Sequence, residues 1–167
     1  MEEIYQKHFD EVRHYLFCLC HDEELAKDLA QETFACATLG IKKFRNDCKI
    51  EVWLCQIAKN LWSKEFNKKE EMPTISMDSE IGEIGASFNL EDEFIKHEQR
   101  MILYKQIDKF GSPIKELMYL KLTTGLNFKE IGQALGKSEI WARVTYYRTK
   151  DKLVEMNRKE EDENETK

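Results

Sequence analysis

Apolar residues recur at helical spacing through most of the chain. Ile4, Val12, Tyr15, Leu16 and Leu19 fall on one stripe of a segment spanning 4–20. Asp22 suits the N-cap of a second helix, with Glu23 and Glu24 at its positive end. Leu25, Leu29, Phe34 and Ala37 turn inward along it before Gly40. After the loop KKFRNDCK the period returns from about Ile50 to Lys68, where Val52, Leu54, Ile57, Ala58 and Leu61 make the apolar side. Between 70 and 91 it lapses into a mixture of proline, glycine, serine and acids, which predicts a flexible linker.

From Glu93 the pattern resumes, with Phe94, Ile102, Leu103 and Ile107 marking one face and Gly111 stopping the helix. Ser112-Pro113 opens another helix that carries Leu117, Met118, Leu120 and Leu122. Asn127-Phe128-Lys129-Glu130 reads as a capping box, and Gly136 as the end of the short helix that it begins. Ser138 then caps a last helix running to about Met156, and the acidic tail 157–167 is expected to be disordered. The expected fold is all-α: two small helical domains, 1–69 and 92–156, joined by the linker 70–91.

Composition agrees with this outline. Glycine (7) and proline (2) are scarce, which disfavours a turn-rich β fold. No apolar run approaches the roughly 20 residues of a spanning helix. The opening MEEIYQKHFDEV is acidic and amphipathic, unlike a secretory signal, so a cytoplasmic protein is expected. Cys18, Cys20, Cys36, Cys48 and Cys55 form no C-x-x-C pair and read as reduced thiols, most of them in the core. The net charge of −6 argues against indiscriminate nucleic-acid binding, yet 59–69 and 143–152 lean basic. A DNA-binding surface needs only a local basic patch.

Residues 127–135, Gly136-Lys137 and 138–153 have the layout of a helix-turn-helix, with Ile131, Leu135, Ile140 and Val144 placed where its two helices pack. Arg143, Tyr147, Arg148 and Lys150 sit on the outer side of the second helix. Arginine donates bidentately to guanine, lysine reaches phosphates, and the helix start at Ser138 offers amides to a phosphate. An ordinary helical hairpin with a solvated basic face has the same pattern.

In the N-terminal half, Asp28 and Glu32 share a helix face with Gln31 beside them, while Leu29 points elsewhere. Such charges commonly make a solvated face, and nothing nearby supplies a nucleophile or phosphate loop for catalysis. The third helix suits a separated DNA strand, which needs flat groups, polar edges and cations. Asn60, Trp62 and Phe66 stand among Lys59, Lys64, Lys68 and Lys69. The plainer alternative makes Trp53 and Phe66 simply core, and for Trp53 that is the better reading. His14, Cys18 and His21 line one face at i, i+4 and i+7 and could ligate zinc, although no fourth ligand is evident and a partly buried helix face is the plainer reading.

The segment GLNFKEIGQALGKSEIWARVTYYRTKDKL resembles the promoter-reading C-terminal domain of extracytoplasmic-function (ECF) sigma factors of RNA polymerase. DLAQETF over 28–34, followed by Phe44-Arg45, Val52-Trp53-Leu54 and Ile57-Ala58-Lys59-Asn60, resembles the N-terminal domain of the same family in order and spacing. The resemblance covers about 4–69 and 93–154.

It implies a transcription initiation factor without catalysis or cofactor. Asp28, Leu29, Gln31, Glu32 and Phe34 would belong to a helix that grips the β′ clamp of core RNA polymerase. Lys59, Asn60, Trp62, Lys64 and Lys68 would hold the melted minus-ten element, with Asn60 at a flipped base. Ser138, Arg143, Thr145, Tyr147, Arg148 and Lys150 would face the minus-thirty-five element, while the domain's body meets the β flap. Ala142 stands where a valine is usual, Val144-Thr145 replace a common Ser-Arg pair, and Lys64 replaces a frequent aspartate. The likeness also implies an anti-sigma partner, often membrane-anchored, and a role in stress response. A stand-alone helix-turn-helix repressor would share the C-terminal half, but 28–32 and 53–69 count against it.

Overall fold

Three helices begin where the sequence supplies a side-chain cap, at Asp22, Asn127 and Ser138. A computed structural model describes residues 1–71 and 90–165. Its helices are α1 (Glu2–Cys20), α2 (Glu23–Gly40), α3 (Ile50–Glu71), α4 (Leu90–Asp108), α5 (Ile114–Thr123), α6 (Phe128–Leu135) and α7 (Glu139–Glu165), with a 3₁₀ turn at Ile41–Lys43. The Leu25 amide donates to the Asp22 carboxylate at 3.0 Å, giving an otherwise orphaned donor of α2 a partner. At α6 the capping is reciprocal. The Glu130 amide donates to Asn127 Oδ1 at 3.0 Å, and the Asn127 amide donates to Glu130 Oε2 at 2.9 Å. Gly136 closes α6 in the left-handed region, φ 66°, which glycine enters without steric cost.

α1, α2 and α3 pack on one another around Tyr15, Leu16, Ala26, Ala30, Val52, Leu54 and Ala58. α4 to α7 pack around Ile107, Leu117, Leu120, Ile131 and Ala142. The two groups meet where α1 lies against α5 and α3 lies against α6. Burying each large aliphatic side chain contributes roughly 1.5–3 kcal/mol. Among the described residues no helix is long and apolar enough to cross a membrane.

Four apolar positions expected inside are on the surface: Ile102, Leu122, Ile140 and Val144. On α4 the inward places go to Tyr104, Gln106 and Ile107. The Tyr104 ring meets Tyr119 edge-on at 5.7 Å, and Gln106 Nε2 donates to Asn157 Oδ1 at 2.7 Å. Polar pairing thus holds positions that an apolar pattern cannot reveal. On α7 the inward stripe is Ala142, Thr149 and Leu153, which turns Ile140 and Val144 outward.

α7 also runs on to Glu165, through a stretch expected to be a disordered tail. Lysine, arginine and glutamate favour helix there, and no glycine or proline intervenes. The linker expected over 70–91 lies, apart from its ends, outside the described residues, and so does the side chain of Phe94.

Candidate functional site

Three surfaces carry the candidate residues. On α2, Asp28, Gln31 and Glu32 are all exposed, and their spacing puts the two carboxylates one turn apart. Leu29 and Phe34 are 5% and 4% exposed. They were expected to share in the contact, but both are core. Phe34 packs against Tyr5 and Phe9, with ring centroids 5.0 and 5.9 Å away. Their place is beneath the polar face, holding it in position.

On α3 the candidates divide between two faces. Asn60, Lys64 and Lys68 recur every four residues and are exposed, forming one amide-and-cation stripe. Lys59, Trp62 and Phe66 lie on another side. Trp62 is half-buried and tilts against Phe66 at 5.6 Å, and the two line an open groove of about 860 Å³ with Phe110, Pro113 and Lys137. Lys59 is drawn towards the buried Glu116, with Nζ 3.8 Å from its carboxylate. Trp53 stacks on Phe44 at 4.9 Å and lies against Gly40, as a structural residue should.

The third surface is α6, its turn and α7. A Cβ on Gly132 would lie 2.8 Å from the Lys137 carbonyl oxygen and 3.0 Å from that of Ser138. Only a glycine lets the turn fold back this tightly. The Trp141 amide donates to Ser138 Oγ at 3.0 Å, which starts α7. Arg143, Tyr147, Arg148 and Lys150 are exposed, and Thr145 is half-buried. Arg143 donates to Glu139 at 2.6 Å and lies over the Phe128 ring at 5.8 Å, which braces its guanidinium.

Several contacts hold the second and third surfaces near each other. Lys49 Nζ is 2.6 Å from Glu130, and Gln56 Nε2 donates to the Gln133 carbonyl at 2.9 Å. Burial raises the Glu130 carboxyl, but hydrogen bonds from Lys49 and Asn127 outweigh it and hold the group below its ordinary range. Asp108 is met by His21 at 2.5 Å, Lys115 at 2.9 Å and the Tyr119 hydroxyl at 2.8 Å. Burial again opposes its charge, yet these three donors bring its carboxyl down to about 2.

The zinc candidates are committed elsewhere. His14 Nε2 lies 3.4 Å from the Tyr104 hydroxyl, His21 binds Asp108, and Cys18 is fully buried with its thiol pushed up to about 12. The described residues hold no cluster of three such side chains able to take a metal.

Sequence reasoning missed Gly132, Asp108 and Glu116. A glycine inside a short helix was a usable signal for the first. Asp108 had none, because its partner His21 is 87 positions away.

Comparison with known proteins places these surfaces in context. The family model for sigma-70 region 2 matches residues 4–71. RNA polymerase sigma factor YlaC of Bacillus subtilis is 24% identical over 98% of this chain and 95% of its own length. ECF RNA polymerase sigma factor SigM of the same organism is 29% identical over 92% of each chain. CnrH, solved with the cytosolic domain of CnrY, superposes with a TM-score of 0.69 at 15% identity, covering 93% of this chain and 85% of that one. RpoE of Bartonella quintana, solved with the anti-sigma factor NepR, also reaches 0.69, at 16% identity over 94% and 96%. These likenesses in structure speak to the fold.

Proposed function

Because the chain belongs to the extracytoplasmic-function group of the sigma-70 family, we propose that it binds core RNA polymerase and directs it to specific promoters. On this reading it acts in the cytoplasm, without chemistry or a cofactor of its own. Asp28, Gln31 and Glu32 meet a basic helix pair of the β′ clamp, supported from below by Leu29 and Phe34. Asn60, Lys64 and Lys68 track the separated strand of the minus-ten element, Lys59 joins them once released from Glu116 on α5, and Trp62 meets the strand beside it. Ser138, Arg143, Thr145, Tyr147, Arg148 and Lys150 meet the minus-thirty-five duplex, and the remaining body of that region meets the β flap.

The observation that carries the proposal is the separation of charge on one chain. An exposed acidic face on α2 stands apart from exposed cations on α3 and α7. A protein contact to a basic helix and two contacts to phosphate require surfaces of opposite sign, and these are present on separate elements. RpoE is held by an anti-sigma factor. The same class of partner, anchored at a membrane or not, belongs to this proposal.

Replacing Asp28 and Glu32 by lysine tests the first contact. Both are exposed, so the fold should survive, while affinity for core polymerase should fall at least tenfold in a competition assay. Undiminished holoenzyme formation would reject the assignment.

A further inference from the structure

α7 presents an apolar stripe on the face assigned to DNA. Ile140 is 76% exposed, Val144 40% and Tyr147 52%. They follow one another at i, i+4 and i+7, so they adjoin along one side of the first turns after the Ser138 cap. Ala142 meets the need for a buried contact there, with none of its surface exposed. The two aliphatic side chains therefore do little for the fold. Cations border the stripe: Lys137 lies before it, Arg143 beside it, and Arg148 and Lys150 beyond it.

We propose that Ile140 and Val144 read the C5-methyl groups of thymines in the upstream promoter element. The inference rests on the function proposed above and adds part of its specificity. An occupant for this face must be anionic at its edges and apolar within. The major groove meets that description, with phosphates along its rims and thymine methyls on its floor, whereas other base edges offer only hydrogen-bonding groups. The N-terminal part of the second helix in a helix-turn-helix is the part that reaches base edges. Side chains four apart are about 5–6 Å from each other. That distance matches one to two base steps of about 3.4 Å, so the two thymines are adjacent or separated by one base pair. Arg143, braced by Glu139, then serves a flanking guanine or phosphate.

The test uses holoenzyme and a promoter selected by it from a random library. Each upstream thymine is replaced in turn by uracil, which pairs identically and lacks only the methyl. The wild-type chain should lose about fourfold in affinity at one or two positions, the equivalent of one buried methyl each. Ile140→Ala and Val144→Ala should each abolish the penalty at one position, with thermal stability unchanged. Uniform indifference to uracil in a holoenzyme that still initiates correctly would overturn the inference and leave the functional reading intact. So would variants that keep the full penalty, or that lose core binding instead, which would make the stripe a protein contact. A holoenzyme that selects no promoter would reject both.

Discussion

Gly132 shows how a single atom governs the turn between α6 and α7. Alanine there would gain about 1 kcal/mol in helix propensity. Its methyl would meet two backbone carbonyls that close a tight turn and cannot rotate away. Overpacking of this kind costs about 1–3 kcal/mol. Gly132→Ala should therefore lower stability in denaturant unfolding and weaken promoter binding together. An unchanged midpoint would show that the turn gives way. Arg148 is exposed on α7. Arg148→Ala should weaken promoter binding by roughly 1–3 kcal/mol if the guanidinium reads a base, with relaxed preference at one position. A uniform, smaller loss across sequences would reduce its role to a phosphate contact.

At the scale of elements, caps were legible and facing partners were not. Asp22, Asn127, Glu130, Gly136 and Ser138 each do what their residue type and spacing foretold, because capping is local. Ile102 and Ile140 were misplaced because an apolar residue records a propensity for burial, while the neighbouring helix decides which side is covered. The polar pair between Gln106 and Asn157 spans 51 positions and leaves no periodic trace.

Asp108 is a second long-range junction, and it yields a pH prediction. Its carboxyl titrates lower in the folded chain, about 2 against an ordinary 3.8. The stabilisation is therefore complete above pH 4 and disappears as pH falls towards 2. Asp108→Asn should be less stable at neutral pH and lose less on acidification. Parallel stability profiles for the two chains would contradict the role given to this contact.

For the whole molecule, the all-α architecture and the order of the motifs could be read from the sequence, whereas the packing of the two helical groups could not. Beside the packing of α1 on α5 and of α3 on α6, polar pairs join them: Lys49 to Glu130, Lys59 to Glu116, His21 to Asp108. No composition signal announces such pairs. Their arrangement has a consequence for promoter reading. Elements centred near minus ten and minus thirty-five lie roughly 85 Å apart along a duplex that rises about 3.4 Å per base pair. A folded chain of this length has a radius of gyration of only about 15 Å. On the proposed function, the groups must part to serve both elements. A zero-length carbodiimide crosslink between Lys49 and Glu130 should therefore block promoter-directed initiation, and full activity of the crosslinked chain would contradict this.

Promoter-directed transcription in vitro probes the central claim most directly. Bacterial core polymerase would be supplied with a library of genomic upstream fragments, with and without the chain. The account predicts discrete start sites on a small subset of templates that appear only when the chain is added and weaken with Asp28→Lys/Glu32→Lys. Identical transcripts from core polymerase with and without the chain would contradict it.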